Sequence, residues 1–155
     1  MKRVLFILLL VLSNLIADNN LYLGIQSSNP SDGLSIKMDT SQKTAVQGIL
    51  DFTGERRSYS FRGIYKFRNR QFYDIYGFAE IGVWDWDRAY HHKYQKTALG
   101  FGAGAGVEYD LRGLDSGFLP IFVSAELGIY RIDFDDDYYY YDDRLGLGFG
   151  LHYKF

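Results

Sequence analysis

Cysteine is absent from the chain. That excludes disulfides, thiolate metal sites and lipid-modified cysteines. Only two of the 155 residues are proline, and no Pro-rich linker separates a second domain. No long apolar run exists beyond the N-terminus, which excludes a helical membrane protein even though 47% of residues are hydrophobic. Nor is there a basic excess: the net charge of −2 argues against a nucleic-acid partner. What the chain has instead is 14 Tyr, 12 Phe and 17 Gly.

The N-terminus reads as an export signal. Lys2 and Arg3 form a positive leader, and Val4 to Leu12 is unbroken and apolar but too short to span a bilayer comfortably. Leu15-Ile16-Ala17 offers a small residue for cleavage before Asp18. The competing reading is a short buried helix. Residues 1–17 are therefore expected to be a cleaved signal peptide and 18–155 the mature domain. Losing Lys2 and Arg3 leaves 15 basic residues against 19 acidic ones.

From Asn20 onward apolar residues recur with period two, the mark of strands with two unlike faces. The clearest strand is the last. Leu145, Leu147, Phe149, Leu151, Tyr153 and Phe155 share one face, and Gly146, Gly148, Gly150, His152 and Lys154 the other. In Lys96–Leu111 the row Leu99, Phe101, Ala103, Ala105, Val107 and Tyr109 opposes Gly100, Gly102, Gly104, Gly106 and Glu108. Similar rows run through Ile121–Arg131, through Tyr59–Phe67 and through Tyr73–Val83. Shorter candidates start at Leu21, Leu34 and Val46, giving eight strands. The pattern has exceptions: Ile49, Ile64 and Phe78 fall on the polar face, Gly48, Gly63 and Gly77 on the apolar one.

Two architectures carry such alternation. In a soluble sandwich or barrel the apolar face is the core. In a transmembrane barrel it meets lipid and the polar face lines the interior. Three features favour the second. Glycine weakens a surface strand but suits a narrow interior. Aromatics cluster toward strand ends, at Tyr59, Phe67, Tyr73, Trp84, Trp86, Tyr109, Tyr153 and Phe155, as at a membrane interface. The later strands are long enough to cross a bilayer at a tilt. The expected fold is an all-β, eight-stranded antiparallel up-and-down transmembrane barrel. With a periplasmic N-terminus, outer loops fall near Ser28–Gly33, Gly54–Arg57, Asp85–Gln95 and Asp133–Asp143, and inner turns near Thr40–Lys43, Asn69–Gln71 and Asp110–Gly117.

The chain resembles the small eight-stranded outer-membrane proteins of the OmpA, OmpX and opacity-protein type. The resemblance is architectural and covers nearly the whole mature chain. Its most specific element is the terminus LGLGFGLHYKF. There Phe149, Leu151, Tyr153 and the C-terminal Phe155 look like the family's assembly signal, read by the outer-membrane assembly machinery. The resemblance implies a bacterial outer-membrane location, contact with outer-membrane lipid, and a role in anchoring, adhesion or contact with extracellular or host ligands. Some related barrels modify lipids. The His-x-Ser motif of lipid A deacylating barrels is absent, as is the N-terminal amphipathic helix of palmitoyl-transferring barrels, so no enzyme, cofactor or metal is expected.

Inside such a barrel, Lys37, Arg62, Lys66, Arg68, Lys96 and Lys154 face Asp39, Asp51, Asp74, Glu80, Glu108 and Glu126. An eight-stranded interior is just wide enough to be filled by side chains, and buried charges must be paired. A salt-bridge network is expected around Arg62, Lys66, Glu80, Glu108 and Glu126, plugging the lumen. A narrow solute or ion path along Gly100–Gly106 is the alternative, unless Tyr22, Tyr76, Phe78 and Tyr130 fill it. The loop with Asp135, Asp136, Asp137, Tyr138, Tyr139, Tyr140, Tyr141, Asp142 and Asp143 is an acidic, tyrosine-rich tip. It reads as solvated and suited to adhesion through its tyrosines, and it lacks the spacing of an EF-hand. The pair His91 and His92 lacks a third metal ligand. The run LGFGAGAG sits within a strand, with no helix to make it a phosphate loop.

Overall fold

Alternating sequence becomes eight strands: β1 (Leu21–Ser28), β2 (Ser31–Asp39), β3 (Thr44–Asp51), β4 (Arg56–Asn69), β5 (Tyr73–Asp87), β6 (Gln95–Asp110), β7 (Ile121–Asp133) and β8 (Tyr141–Lys154). A computed structural model describes residues 20–51, 56–87, 95–133 and 141–155, with the side chains at 56, 86–87, 95–96, 133 and 141–144 excepted. Each strand pairs antiparallel with the next, and β8 returns to β1, so the sheet closes into a barrel. Closure leaves no free sheet edge along the paired length.

The two faces separate as the period demands. Phe101, Ile129 and Leu147 point outward and are 61%, 64% and 67% exposed. The alternate positions turn inward, where Arg62, Glu80, Glu126 and His152 are buried. The pattern-breaking Ile49, Ile64 and Phe78 are buried in the interior too. At the outward Gly48 and Gly63 an added Cβ would meet open space.

The interior packs tightly along the glycine row of β6. Gly106 lies opposite Tyr76, Gly104 opposite Phe78, and Gly102 opposite Tyr130. A Cβ on Gly104 would sit 2.6 Å from the Phe78 ring and 2.3 Å from the Leu127 carbonyl oxygen. Each glycine thus gives its volume to a neighbouring ring, and the wall that looked open in sequence is filled.

Several expectations change. Arg68 is exposed, not inward. The register slips between Lys66 and Arg68, and such a bulge moves the following residue to the opposite face. Trp84, expected among the interface aromatics, points inward and is 2% exposed. It lies on the same face as Gly82, which a larger residue would deny it: a Cβ there would be 2.6 Å from the indole. The expected loop at Ser28–Gly33 shrinks to Asn29-Pro30, because β2 already begins at Ser31. Gly33 permits this, with φ at 139° and a Cβ position 2.2 Å from the Leu50 carbonyl oxygen.

The wall is uneven. β1, β2 and β3 have 8, 9 and 8 residues, whereas β4 to β8 have 13 to 16. At the end away from the termini, β1 stops at Ser28, opposite Gly148, while β8 continues up to Tyr141. The tall side therefore stands above the β1–β2 hairpin. Tyr141, Asp142 and Asp143, expected in the loop, belong to this part of β8 and pair with Asp133, Ile132 and Arg131.

Candidate functional site

The interior is built in layers. Its middle belongs to Arg62 on β4, which is fully buried. Cross-strand register sets Arg62 opposite Glu80 on β5, and Glu126 reaches it from β7. The guanidinium donates from Nε to Glu80 Oε2 at 2.5 Å and from Nη1 to Glu126 Oε1 at 2.7 Å. Nη2 donates to Ser28 Oγ at 2.9 Å and to the Tyr130 hydroxyl at 3.3 Å. The Phe78 ring lies under its carbon at 4.6 Å. The carboxylates have further donors: Ser31 Oγ on Glu80, and Gln26 Nε2 and the Tyr76 hydroxyl on Glu126 at 2.9 and 3.2 Å. Such saturation is what makes a buried charge tolerable, since an unpaired one would bear its full desolvation cost.

Two further groups of ion pairs lie toward the terminal end, around Lys66 and around Lys37. Lys66 Nζ sits 2.9 Å from Asp39 Oδ1 and 3.0 Å from Asp74 Oδ2. Asp39 Oδ2 also accepts from the Tyr22 hydroxyl at 2.7 Å and lies 3.7 Å from Lys154 Nζ. Lys37 pairs with Glu108 and stands 4.2 Å over the Tyr22 ring. Of the five residues expected at one centre, the structure brings Arg62, Glu80 and Glu126 together. It gives Lys66 to Asp39 and Asp74, and Glu108 to Lys37. The choice among these partners depends on how the closed sheet folds across its own axis, which alternation does not encode. Asp51 is buried, and the side chain of Lys96 lies outside the described residues.

A pair that sequence spacing concealed joins strands 117 residues apart: Ser35 Oγ and His152 Nε2 are 2.8 Å from each other. Gln47 Nε2 also donates to Ser35 Oγ, at 2.8 Å. Hydroxyl and imidazole at this distance have the form of a nucleophile with its base. Both are buried, however, and the adjoining void of about 10 Å³ holds roughly one water. His152 Nδ1 has no partner among the described residues, so no third group orients the ring. An acyl substrate has no room there.

The two ends differ. At the far end Trp84, Ala98 and Ile132 form a buried apolar cluster above the Arg62 layer. Trp84 Nε1 donates to the Pro30 carbonyl oxygen at 3.1 Å, tying the β1–β2 tip to the opposite wall. At the terminal end a polar vestibule of about 170 Å³ opens among Tyr22, Asp39, Lys66, Asp74, Arg112 and Lys154. At its edge Arg112 grips Asp110, with Nη2 2.5 Å from Oδ2. These hydrogen bonds, against a smaller desolvation effect, raise the Arg112 guanidinium above its ordinary pKa. Among the described residues no group of three or more His, Asp or Glu side chains is placed to hold a metal ion.

The terminal row faces outward: Phe149, Leu151, Tyr153 and Phe155 are all exposed, and the Phe155 amide donates to the Leu21 carbonyl at 2.9 Å. Residues Asp135, Asp136, Asp137, Tyr138, Tyr139 and Tyr140 lie outside the described residues, as do His91 and His92 and the expected signal peptide at 1–17. The side chains of Tyr141, Asp142 and Asp143 are likewise outside them. No known family model matches the chain, and no curated protein is detectably similar to it.

Proposed function

We propose that this chain is an integral outer-membrane barrel of the bacterial envelope, with a structural or surface-interaction role and a lumen plugged by its charge layers. One observation carries the reading: the barrel is inside-out by the standards of water. Phe67, Leu145 and Leu147 are 67%, 69% and 67% exposed, while Arg62 is 0% exposed. Apolar rows on the outside continue around the circumference, far beyond the few hundred Å² that a soluble monomer presents. A surrounding of acyl chains removes that penalty.

The lumen supports an anchoring role over a channel. Arg62 bridges carboxylates from two other strands across the middle, rings fill the β6 glycine row, and the apolar cluster at Trp84 sits above them. In this setting the terminal end is periplasmic and the tall side of the wall projects outward. There the loops meet extracellular or host ligands, and the exposed row from Phe149 to Phe155 is the part recognised by the assembly machinery. The role is non-enzymatic.

Fractionation with gel migration tests the reading. The chain should travel with the outer membrane and run faster unheated than boiled, because the closed barrel resists detergent. Recovery as a monodisperse water-soluble protein without detergent would refute it.

A further inference from the structure

The outer surface is apolar all round, yet its two sides differ in height and composition. On β4 to β8 the exposed rows carry rings at Tyr59, Phe61, Tyr65, Phe67, Phe101, Phe149 and Tyr153. On β1 to β3 the outward positions are Leu23 and Ile25, then Leu34, Ile36 and Met38, then Val46, Gly48 and Leu50. Among the described residues that face has no outward aromatic ring and no charge below Asp32 at its rim.

The height difference is large against the thickness of a bilayer. On β6 the outward row runs from Leu99 to Tyr109, ten residue steps. At about 3.4 Å a step and a tilt near 40°, that covers roughly 26 Å, the height of the apolar band a barrel needs. On β2 the apolar row from Leu34 to Met38 is four steps, roughly 10 Å of height by the same arithmetic. Lipid against β1 to β3 would have to thin steeply within one barrel's width, and mismatch of that kind drives association. Among the described residues, rings that anchor a barrel at the headgroups are also missing from three consecutive strands there.

We infer that the β1–β3 face is a self-association surface, covered in the membrane by a second copy of this chain. The inference rests on the membrane reading above. Two copies inserted with the same orientation meet about a two-fold axis along the membrane normal, so the same patch meets itself. Such a patch must not repel itself, and this one is uncharged over its apolar rows. The matching low walls then cover each other instead of facing thinned lipid. Gly48 and Gly63 border the face with open space beyond their Cα atoms, which lets the aliphatic side chains of the other copy approach closely.

The absence of cysteine makes the test direct. Single variants Ile36→Cys on the proposed face and Phe101→Cys on the tall side are folded as the full mature chain into phosphatidylcholine vesicles and oxidised. Ile36→Cys should give covalent dimer several-fold in excess of Phe101→Cys, and the excess should persist as lipid is added. Adding Gly63→Trp to Ile36→Cys should reduce the dimer without displacing the chain from the vesicles. Equal cross-linking at both positions, or dimer that vanishes on dilution with lipid, overturns the inference and leaves the membrane reading intact. So does a monomer whose insertion is favoured by short-chain lipid, since lipid then covers the face. A chain that fails to float with the vesicles overturns both.

Discussion

Arg62 holds three other strands to β4 through one guanidinium: it touches Ser28 on β1, Glu80 on β5, and Glu126 and Tyr130 on β7. Removing it would leave two carboxylates buried without a cation. Arg62→Ala should therefore lower stability by about 3–5 kcal/mol, read as a lower urea midpoint in detergent micelles. Part of the loss should return in Arg62→Ala/Glu80→Gln, where one stranded charge is gone. Lys154, more exposed and 3.7 Å from Asp39, is the contrasting case. Lys154→Ala should cost less than about 1 kcal/mol. Trp84 offers a second test at this scale. With Trp86→Phe as background, the remaining Trp84 should resist quenching by brominated lipid, because its indole faces the interior and is 2% exposed. Strong quenching would put the ring back at the outer surface.

At the scale of elements, β6 and β4 show how glycine serves a closed sheet. Gly104 has backbone and a ring within contact of any added Cβ, whereas Gly63 has nothing within 4 Å. Gly104→Val should overpack the interior and cost about 1–3 kcal/mol or prevent folding. Gly63→Ala should fold with unchanged or slightly raised stability, since glycine weakens a strand. Paired urea titrations in detergent distinguish the two. The β1–β8 seam is the other element-level feature. Deleting Phe155 removes one backbone bond to Leu21 and the outermost exposed ring of the row. The loss should spare refolding in micelles but reduce assembly in cells, and normal cellular assembly would count against a terminal recognition signal.

For the whole molecule, the layers along the axis set the functional expectation. A buried apolar cluster, a guanidinium between two carboxylates and the ion pairs of Lys66 and Lys37 occupy the lumen in turn, and the terminal end opens into a vestibule. In planar bilayers the folded chain should therefore pass no steady current. Stable, repeatable channels from the folded form would overturn the plugged lumen and favour a solute path. The uneven wall belongs to this scale as well, because strand lengths matter only when the sheet closes and short strands stand beside long ones.

Much of this was legible in the residues themselves. Period-two rows such as Leu145 to Phe155 announce a two-faced strand, because successive side chains on an extended backbone must point to opposite sides. Eight such rows in succession pointed to the antiparallel barrel, and balanced charge on the small face marked Arg62, Glu80 and Glu126 as interior. Three-dimensional closure decided the rest. Alternation says which face a residue takes but not which residue waits across the lumen, so Lys37 with Glu108 and Ser35 with His152 appeared only in the fold. A single inserted residue near Lys66 turned Arg68 outward, since one step reverses every face after it. Trp84 takes the inward face that alternation after Val83 dictates, but that a ring so large fits there depends on Gly82 beside it vacating the volume of a side chain, a property of neighbours in space.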